Sequence, residues 1–256
     1  MIPIVLHHGF MGFGDVGVGP VKLSYFRGID RMIRGRGHPL IVSRVSPSGP
    51  IELRARQLKA NILRGLKQQK LDRQRIIIVA HSMGGLDARY MISELGMADQ
   101  VAGLLSVTTP HRGSPYADWC ILNLGTRLGG LRLMNMIGLD VRAVSDLTTE
   151  SCRRFNRQIK NAPGVHYFSI SAARPWQRVP PWAIHSHRII TAKEGDNDSL
   201  VSVKSSTWGD HLDTWPADHW HTINHRFVLE LSEPTGDITP YWEKAVSGVV
   251  EKVERG

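Results

Sequence analysis

Short runs of Val, Ile and Leu recur along the chain, separated by longer stretches in which apolar positions return every three or four residues. The runs 2–7, 40–45, 76–80, 101–108, 165–171 and 188–191 are rich in β-branched residues and short, which predicts buried strands. Between the second and third lies the clearest helical pattern, 51–69, where Leu58, Ile62 and Leu66 repeat at four-residue spacing among Arg and Lys. Strands alternating with such helices predict an α/β fold, a mainly parallel sheet with helices on both faces. Sheets of this kind place their sites at the carboxyl ends of central strands.

One region breaks the alternation. Residues 114–161 carry a Gly-rich centre, 125–130, flanked by apolar helical stretches at 119–124 and 131–139. Inserted after the strand at 101–108, the excursion suits a cap or lid. An extra helical pair packed permanently on the core fits the same residues. Its apolar side chains (Leu122, Leu124, Leu131, Met134, Met136, Ile137 and Leu139) favour an acyl chain over a sugar or peptide, though they equally suit the underside of a fixed helix. The 256 residues are enough for one large domain, and no linker divides them. We therefore expect a single domain, 1–256, with the insertion at about 114–161.

The candidate chemistry begins where the third run ends, in Ala80-His81-Ser82-Met83-Gly84-Gly85. A strand followed at once by a helix holds a serine on a sharp turn, with its hydroxyl exposed as a nucleophile. Crowding around that turn requires small residues two positions either side, here Ala80 and Gly84. The amides that open the helix point at the space above Ser82, and Met83 N–H is a natural donor to a developing oxyanion. A serine that merely caps a helix fits the same letters. A second donor is sought after the first strand, in His7-His8-Gly9-Phe10-Met11-Gly12, where Phe10 N–H is the candidate. Gly12-Phe13-Gly14-Asp15-Val16-Gly17 formally matches a dinucleotide fingerprint, but the run at 40–45 leads into Ser46-Pro47 with no acid to take a ribose hydroxyl.

A nucleophilic serine needs a base, and the base an orienting carboxylate. The acids in the loop after 188–191 are Glu194, Asp196 and Asp198, with Asp198 preferred because the chain then turns back towards apolar residues. The histidines that follow are His211, His219, His221 and His225. The spacing of the last three matches no strong zinc signature.

Charge and cysteine content narrow the partners. Lys and Arg number 32 against 23 Asp and Glu, a formal net charge of +9, but the basic residues are scattered and form no recognisable nucleic-acid module. Residues 151–193 contain no acid while including Arg153, Arg154, Arg157, Lys160, Arg174, Arg178 and Arg188. They are read as a solvated surface, with a positive patch at the substrate entrance as the alternative. No run reaches the length of a membrane span and no signal-peptide pattern is present. The expectation is a soluble protein, cytoplasmic as written and secreted if an export signal was trimmed. Cys120 and Cys152 are expected to be free thiols.

Several separated motifs together resemble the bacterial triacylglycerol lipases of the α/β-hydrolase superfamily. They are His8-Gly9-Phe10 with Gly12, Tyr25-Phe26-Arg27-Gly28-Ile29, the turn around Ser82 with Arg89-Tyr90, and Thr109-Pro110-His111-Arg112-Gly113-Ser114. Asn197-Asp198-Ser199-Leu200-Val201 follows, then Ser205-Ser206, Trp208-Gly209, Asp218-His219 and Ile223-Asn224. The resemblance implies an α/β-hydrolase fold, Ser82 as nucleophile, Asp198 as triad acid, His219 as base, and the Phe10 and Met83 amides as oxyanion hole. It also implies ester or lipid substrates; the apolar insertion adds the expectation of medium or long acyl groups, and transient contact with a lipid interface, no cofactor and no nucleic acid are expected. A thioesterase, a polyester depolymerase or a catalytically silent binding module could use the same frame. Relatives often hold a structural calcium through an aspartate two residues after the catalytic histidine; that position is His221 here. Many also carry a disulfide whose cysteine falls where this chain has Lys204. Neither staple is expected, and no metal site is assigned.

Overall fold

The computed structural model describes residues 1–12, 16–18, 21–125, 141–227 and 236–255. In chain order the elements are β1 (Ile4–His7), the hairpin β2 (Val16–Val18) and β3 (Val21–Leu23), α1 (Ile29–Gly35), β4 (Leu40–Val42), α2 (Ile51–Gln69), β5 (Ile76–His81), α3 (Gly84–Glu94) and β6 (Val101–Val107). There follow α4 (Pro115–Gly125), α5 (Val141–Asp146), α6 (Thr149–Gln158), β7 (His166–Ala172), α7 (Ile184–Glu194), α8 (Val203–Ser206), β8 (Asp210–Trp215) and α9 (Thr239–Arg255). Six strands form one parallel sheet in the order β4-β1-β5-β6-β7-β8.

The sheet is apolar on both faces because each is covered. Ile4, Leu6, Ile77, Val79, Leu105 and Val107 pack with α1 and α9 through Ile29, Ile33, Trp242 and Val246. The alternate residues Val5, Ile76, Ile78 and Ala80 meet α2 and α3 through Leu58, Ile62, Leu66, Met91 and Ile92. Period-two alternation in the strands and the four-residue stripe of α2 thus close into two layers of core.

Two expected elements need correction. The run 188–191 is not a strand but the middle of α7, in which Ser186, His187 and Ile190 form the buried stripe. The β-branched sequence Ile189-Ile190-Thr191 imitated a strand, while helical burial decided the outcome. The sixth strand is instead β8, whose Asp-His-Leu-Asp-Thr-Trp sequence buries only Trp215 and lies at the sheet edge. Charged, polar edge strands lack the apolar run that marks a central one. The run at 40–45 also stops early, at Val42, although Val45 is buried.

In the insertion, the helix expected at 119–124 lies within α4. The stretch 131–139 and most of the Gly-rich centre lie outside the described residues, as do the side chains of Leu124, Leu131, Met134, Met136, Ile137 and Leu139. The acid-poor run does not gather its charges in one place. Arg153, Arg154 and Arg157 lie around Glu150 on exposed α6, whereas Arg174 is buried against Asp218.

Candidate active site

Strand order explains why the candidate residues meet. From β1 the chain first goes outward to β4, then returns to lay β5 on the other side of β1 and continues through β6, β7 and β8. The loop after β1 and the turn after β5 therefore leave the sheet side by side, at the point where the winding reverses. In that turn Ser82 has φ 56°, a left-handed conformation rare for a residue with a Cβ. It is held there from both sides: Ser82 N–H donates to Val107 O at 2.9 Å, and the Thr109 hydroxyl donates to Ser82 O at 2.7 Å. Crowding makes two glycines necessary. A methyl group on Gly9 would lie 2.6 Å from Ser82 Cβ, and one on Gly84 would lie 2.8 Å from His8 O. Strained backbone maintained by surrounding contacts is a recurrent property of functional sites.

Ser82, His219 and Asp198 come together in one row. His219 Nε2 lies 3.0 Å from Ser82 Oγ, and His219 Nδ1 lies 2.6 Å from Asp198 Oδ2. Asp198 has no exposed surface, and its other oxygen accepts the Leu200 and Val201 amides at 2.9 and 2.7 Å. Being an acceptor on every side, the carboxylate fixes the Nδ1–H tautomer of His219 and leaves Nε2 to accept the serine proton. The backbone repeats the pairing, because His219 N–H donates to Asp198 O at 2.8 Å. Asp218, one residue earlier, accepts the Trp220 and His221 amides and is paired with Arg174 Nη1 at 2.9 Å. Its carboxyl is shifted upward, chiefly by burial.

The Phe10 and Met83 amides have no hydrogen-bond acceptor among the described residues. Met83 is the N-cap residue of α3, so the positive end of that helix faces the same space. A buried ion pair holds the loop bearing Phe10. Arg54 donates to Asp87 Oδ2 at 2.8 Å, to His8 O at 2.7 Å and to Ser46 O at 2.7 Å. Sequence reading missed this pair although its signal was present: Arg54 continues the 58, 62, 66 stripe of α2 one turn earlier, so a charge occupies a core position. Asp87 also accepts from His7, whose other nitrogen lies 2.6 Å from Ser43 Oγ. This second Ser-His-Asp set has no solvent-accessible surface, so it can brace the loop but cannot meet a substrate.

Only the first set opens onto space. A cavity of about 620 Å³ is bounded by Ser82 and His219 at its floor and by Phe10, Ala117, Cys120, Val144, Leu147, Trp220 and Ile223 on its walls. Thus α4 and α5 of the insertion supply part of the apolar lining.

The other candidates are committed to other partners. Glu194 accepts the Ser202 hydroxyl at 2.5 Å, and Asp196 is exposed. His211, on β8, contacts Ser169 and Thr214, His221 Nε2 donates to Gly236 O, and His225 Nε2 donates to Tyr25 O. His225 lines the same cavity as His219 but spends its Nε2–H on Tyr25 O, and among the described residues no group of three His, Cys, Asp or Glu could hold a metal. Calcium does not fit beside the histidine either. Arg174 brings a positive charge there, and both Asp218 oxygens already accept N–H donors. Cys120 and Cys152 are unpaired thiols. No described helix is long and apolar enough to cross a membrane.

The sheet order, the strained turn after β5 and the layers of helix define an α/β-hydrolase fold, and the structural match agrees. Bacillus licheniformis lipase BlEst2 in its mature form superposes with a TM-score of 0.71 over 96% of this chain and 91% of that one, at 19% identity. Residues 55–166 match the PGAP1-like alpha/beta domain family. "Triacylglycerol lipase 2" of Saccharomyces cerevisiae is 34% identical over 82% of this chain, which spans 65% of the length of that relative. A triacylglycerol lipase of Pseudomonas fragi is 28% identical over 87% of this chain and 88% of its own length. Over most of its length the chain is thus similar in sequence to triacylglycerol lipases, and it shares the fold of lipases and esterases of the α/β-hydrolase type.

Proposed function

We propose that the chain is a carboxylic ester hydrolase that works through an acyl-enzyme on Ser82. The observation that carries this reading is the pair of contacts at His219, 3.0 Å to Ser82 Oγ and 2.6 Å to Asp198, at the floor of an apolar cavity. His219 Nε2 takes the hydroxyl proton as Ser82 Oγ attacks the ester carbonyl. Asp198 keeps the imidazole in the accepting tautomer and stabilises the imidazolium that forms. The Phe10 and Met83 amides receive the negative oxygen of the tetrahedral intermediate, where each such donor contributes roughly 3–4 kcal/mol. As the intermediate collapses, His219 returns its proton to the leaving alcohol. Water then repeats the sequence against the acyl-enzyme and releases the acid. A thioester would follow the same steps with a thiol leaving.

The walls favour a medium or long acyl chain. Ala117, Cys120, Val144, Leu147 and Ile223 present hydrocarbon and a thiol, with no charged group among them. Around the opening, Met11 is 52% exposed, and Trp182, 51% exposed, packs edge-on against Phe227 and Trp220 of the lining. Such a rim suits transient contact with a lipid surface. Profiling with soluble p-nitrophenyl esters is expected to peak above the acetate. Ala117→Phe, which fills the wall, is expected to lower kcat/KM for the octanoate about tenfold or more while sparing the acetate. A parent enzyme confined to acetate, or a variant affecting both esters equally, contradicts the acyl-chain assignment.

A further inference from the structure

The assigned catalytic groups leave one buried histidine at the floor of the cavity unused. His81 directly precedes Ser82, is 1% exposed, and is hydrogen-bonded through both ring nitrogens. Nδ1 lies 2.8 Å from Tyr25 Oη and Nε2 lies 2.9 Å from Thr222 Oγ1. The direction of each bond follows from its neighbours. Thr222 Oγ1 is also 2.6 Å from His219 O, and a carbonyl can only accept, so the threonine proton goes there. The threonine oxygen must then receive its other bond from His81 Nε2–H. In a neutral ring Nδ1 is left to accept from Tyr25 O–H, and Tyr25 oxygen accepts Gly9 N–H at 3.2 Å.

We propose that His81 is a positioning residue, held as the Nε2–H tautomer, which closes a head-to-tail hydrogen-bond chain from Gly9 through Tyr25, His81 and Thr222 to the carbonyl of His219. The inference rests on the hydrolase reading above and deepens it. The three segments that chain joins are the ones that must stay in register. Gly9 carries the loop whose next amide is Phe10 N–H, His81 carries the nucleophile, and His219 is the base. Each comes from a different part of the sequence, and beside the pairwise contacts of Ser82 with His219 and of Gly9 with Ser82, this chain is a link that runs through all three. A substrate-facing geometry about 1 Å out of place is costly to catalysis, so a single directional chain across all three is a direct means of holding it.

Ring packing adds a second restraint. The His81 and His219 rings lie 4.7 Å apart at 49°, and Trp220 stands edge-on to His219 at 6.1 Å. The ionisable groups bearing on His81 are the His219, His225 and His8 rings, together with Tyr25. Burial first, and then His219, push its titration well below the ordinary histidine range. A neutral His81 matters here because, in the proposed mechanism, His219 becomes positive when Ser82 gives up its proton, and a second cation beside it would oppose that step.

Two measurements test the chain. In the first, Thr222→Val, nearly isosteric, is expected to lower kcat about tenfold with KM within about twofold and the melting temperature little changed, while Thr222→Ser restores kcat. Tyr25→Phe breaks the same chain at its other end, so the double variant is expected to lose about as much kcat as the worse single one instead of the roughly hundredfold product. Parent-like kcat in Thr222→Val, or a fully multiplicative double variant, overturns the proposal. In the second, 15N-histidine spectra of the parent protein at neutral pH are expected to show His81 protonated on Nε2 and bare on Nδ1. The opposite tautomer or an imidazolium overturns the proposal. This spectrum needs no turnover, so a protein that hydrolysed no ester would count against the proposed function while leaving the hydrogen-bond chain open to its own test.

Discussion

Ser82→Ala is expected to lower kcat on p-nitrophenyl esters by about 10⁶-fold, leaving circular dichroism and melting unchanged. The magnitude follows from the geometry. On the proposed mechanism the substitution removes the attacking oxygen and the proton partner of His219 together, while the Phe10 and Met83 amides and the apolar walls remain to bind the ester. His219→Ala is expected to cost nearly as much, because the three side chains act as one unit and the first loss removes most of what the others contribute. Asp198→Asn is expected to cost about 10⁴-fold. An amide can donate towards Nδ1, which frees the opposite tautomer and places a proton on the nitrogen that should accept one. Steady-state kinetics on the three variants, with urea melts as control, separate this pattern from a general loss of fold. Equal small losses in all three would contradict the assignment.

The second large effect is on stability. His8, His81 and His111 are buried with their titration lowered, to about 3 for His8 and well below the ordinary range for the other two, burial being the main cause in each. In the unfolded chain each binds a proton near pH 6.5, whereas in the folded protein it does not. Below pH 6.5 the unfolded state therefore holds more protons, and stability falls as pH falls. It is fully present above that value and declines towards the folded-state titrations. For His8, which titrates near 3 in the fold, the cost from pH 7 to 5 is expected to be about 2 kcal/mol. His81 and His111 act in the same direction, and the loss falls on a total of about 5–15 kcal/mol that holds a typical domain folded. Urea midpoints measured at pH 7.5, 6.5, 5.5 and 5 are expected to drop steeply across the last three. A flat profile over that interval would show these rings protonated in the fold.

Local sequence carried the elbow because everything it needs is contiguous: an apolar run, small residues at 80 and 84, and an amphipathic continuation. The approach of the loop bearing Phe10 to Ser82 was legible for a related reason, since that loop follows the first strand and glycines mark the close contact. The acid and base were a different matter. Four histidines and three acids fit the local pattern, and what separates His219 from His211, His221 and His225 is tertiary, namely the backbone and side-chain bonds to Asp198. Order of motifs and family resemblance narrowed that choice, whereas periodicity did not. The strand reading of 188–191 failed because three β-branched residues outweighed a helical burial stripe that only becomes visible when the partners of Ser186 and His187 are known. Strand β8 was missed because an edge strand needs few apolar residues. Arg54 and Asp87 were legible in principle, as charges on helix faces that pack into the core, and they show that a polar residue in an apolar register is worth reading as a brace for something nearby.

The measurement that bears most directly on the central claim is the position of a covalent adduct. Incubation with a fluorophosphonate, followed by proteolysis and mass spectrometry, is predicted to place one phosphonyl group on the peptide containing Ser82, with labelling lost in Ser82→Ala. Labelling at another residue, or none in a folded protein, would contradict the account.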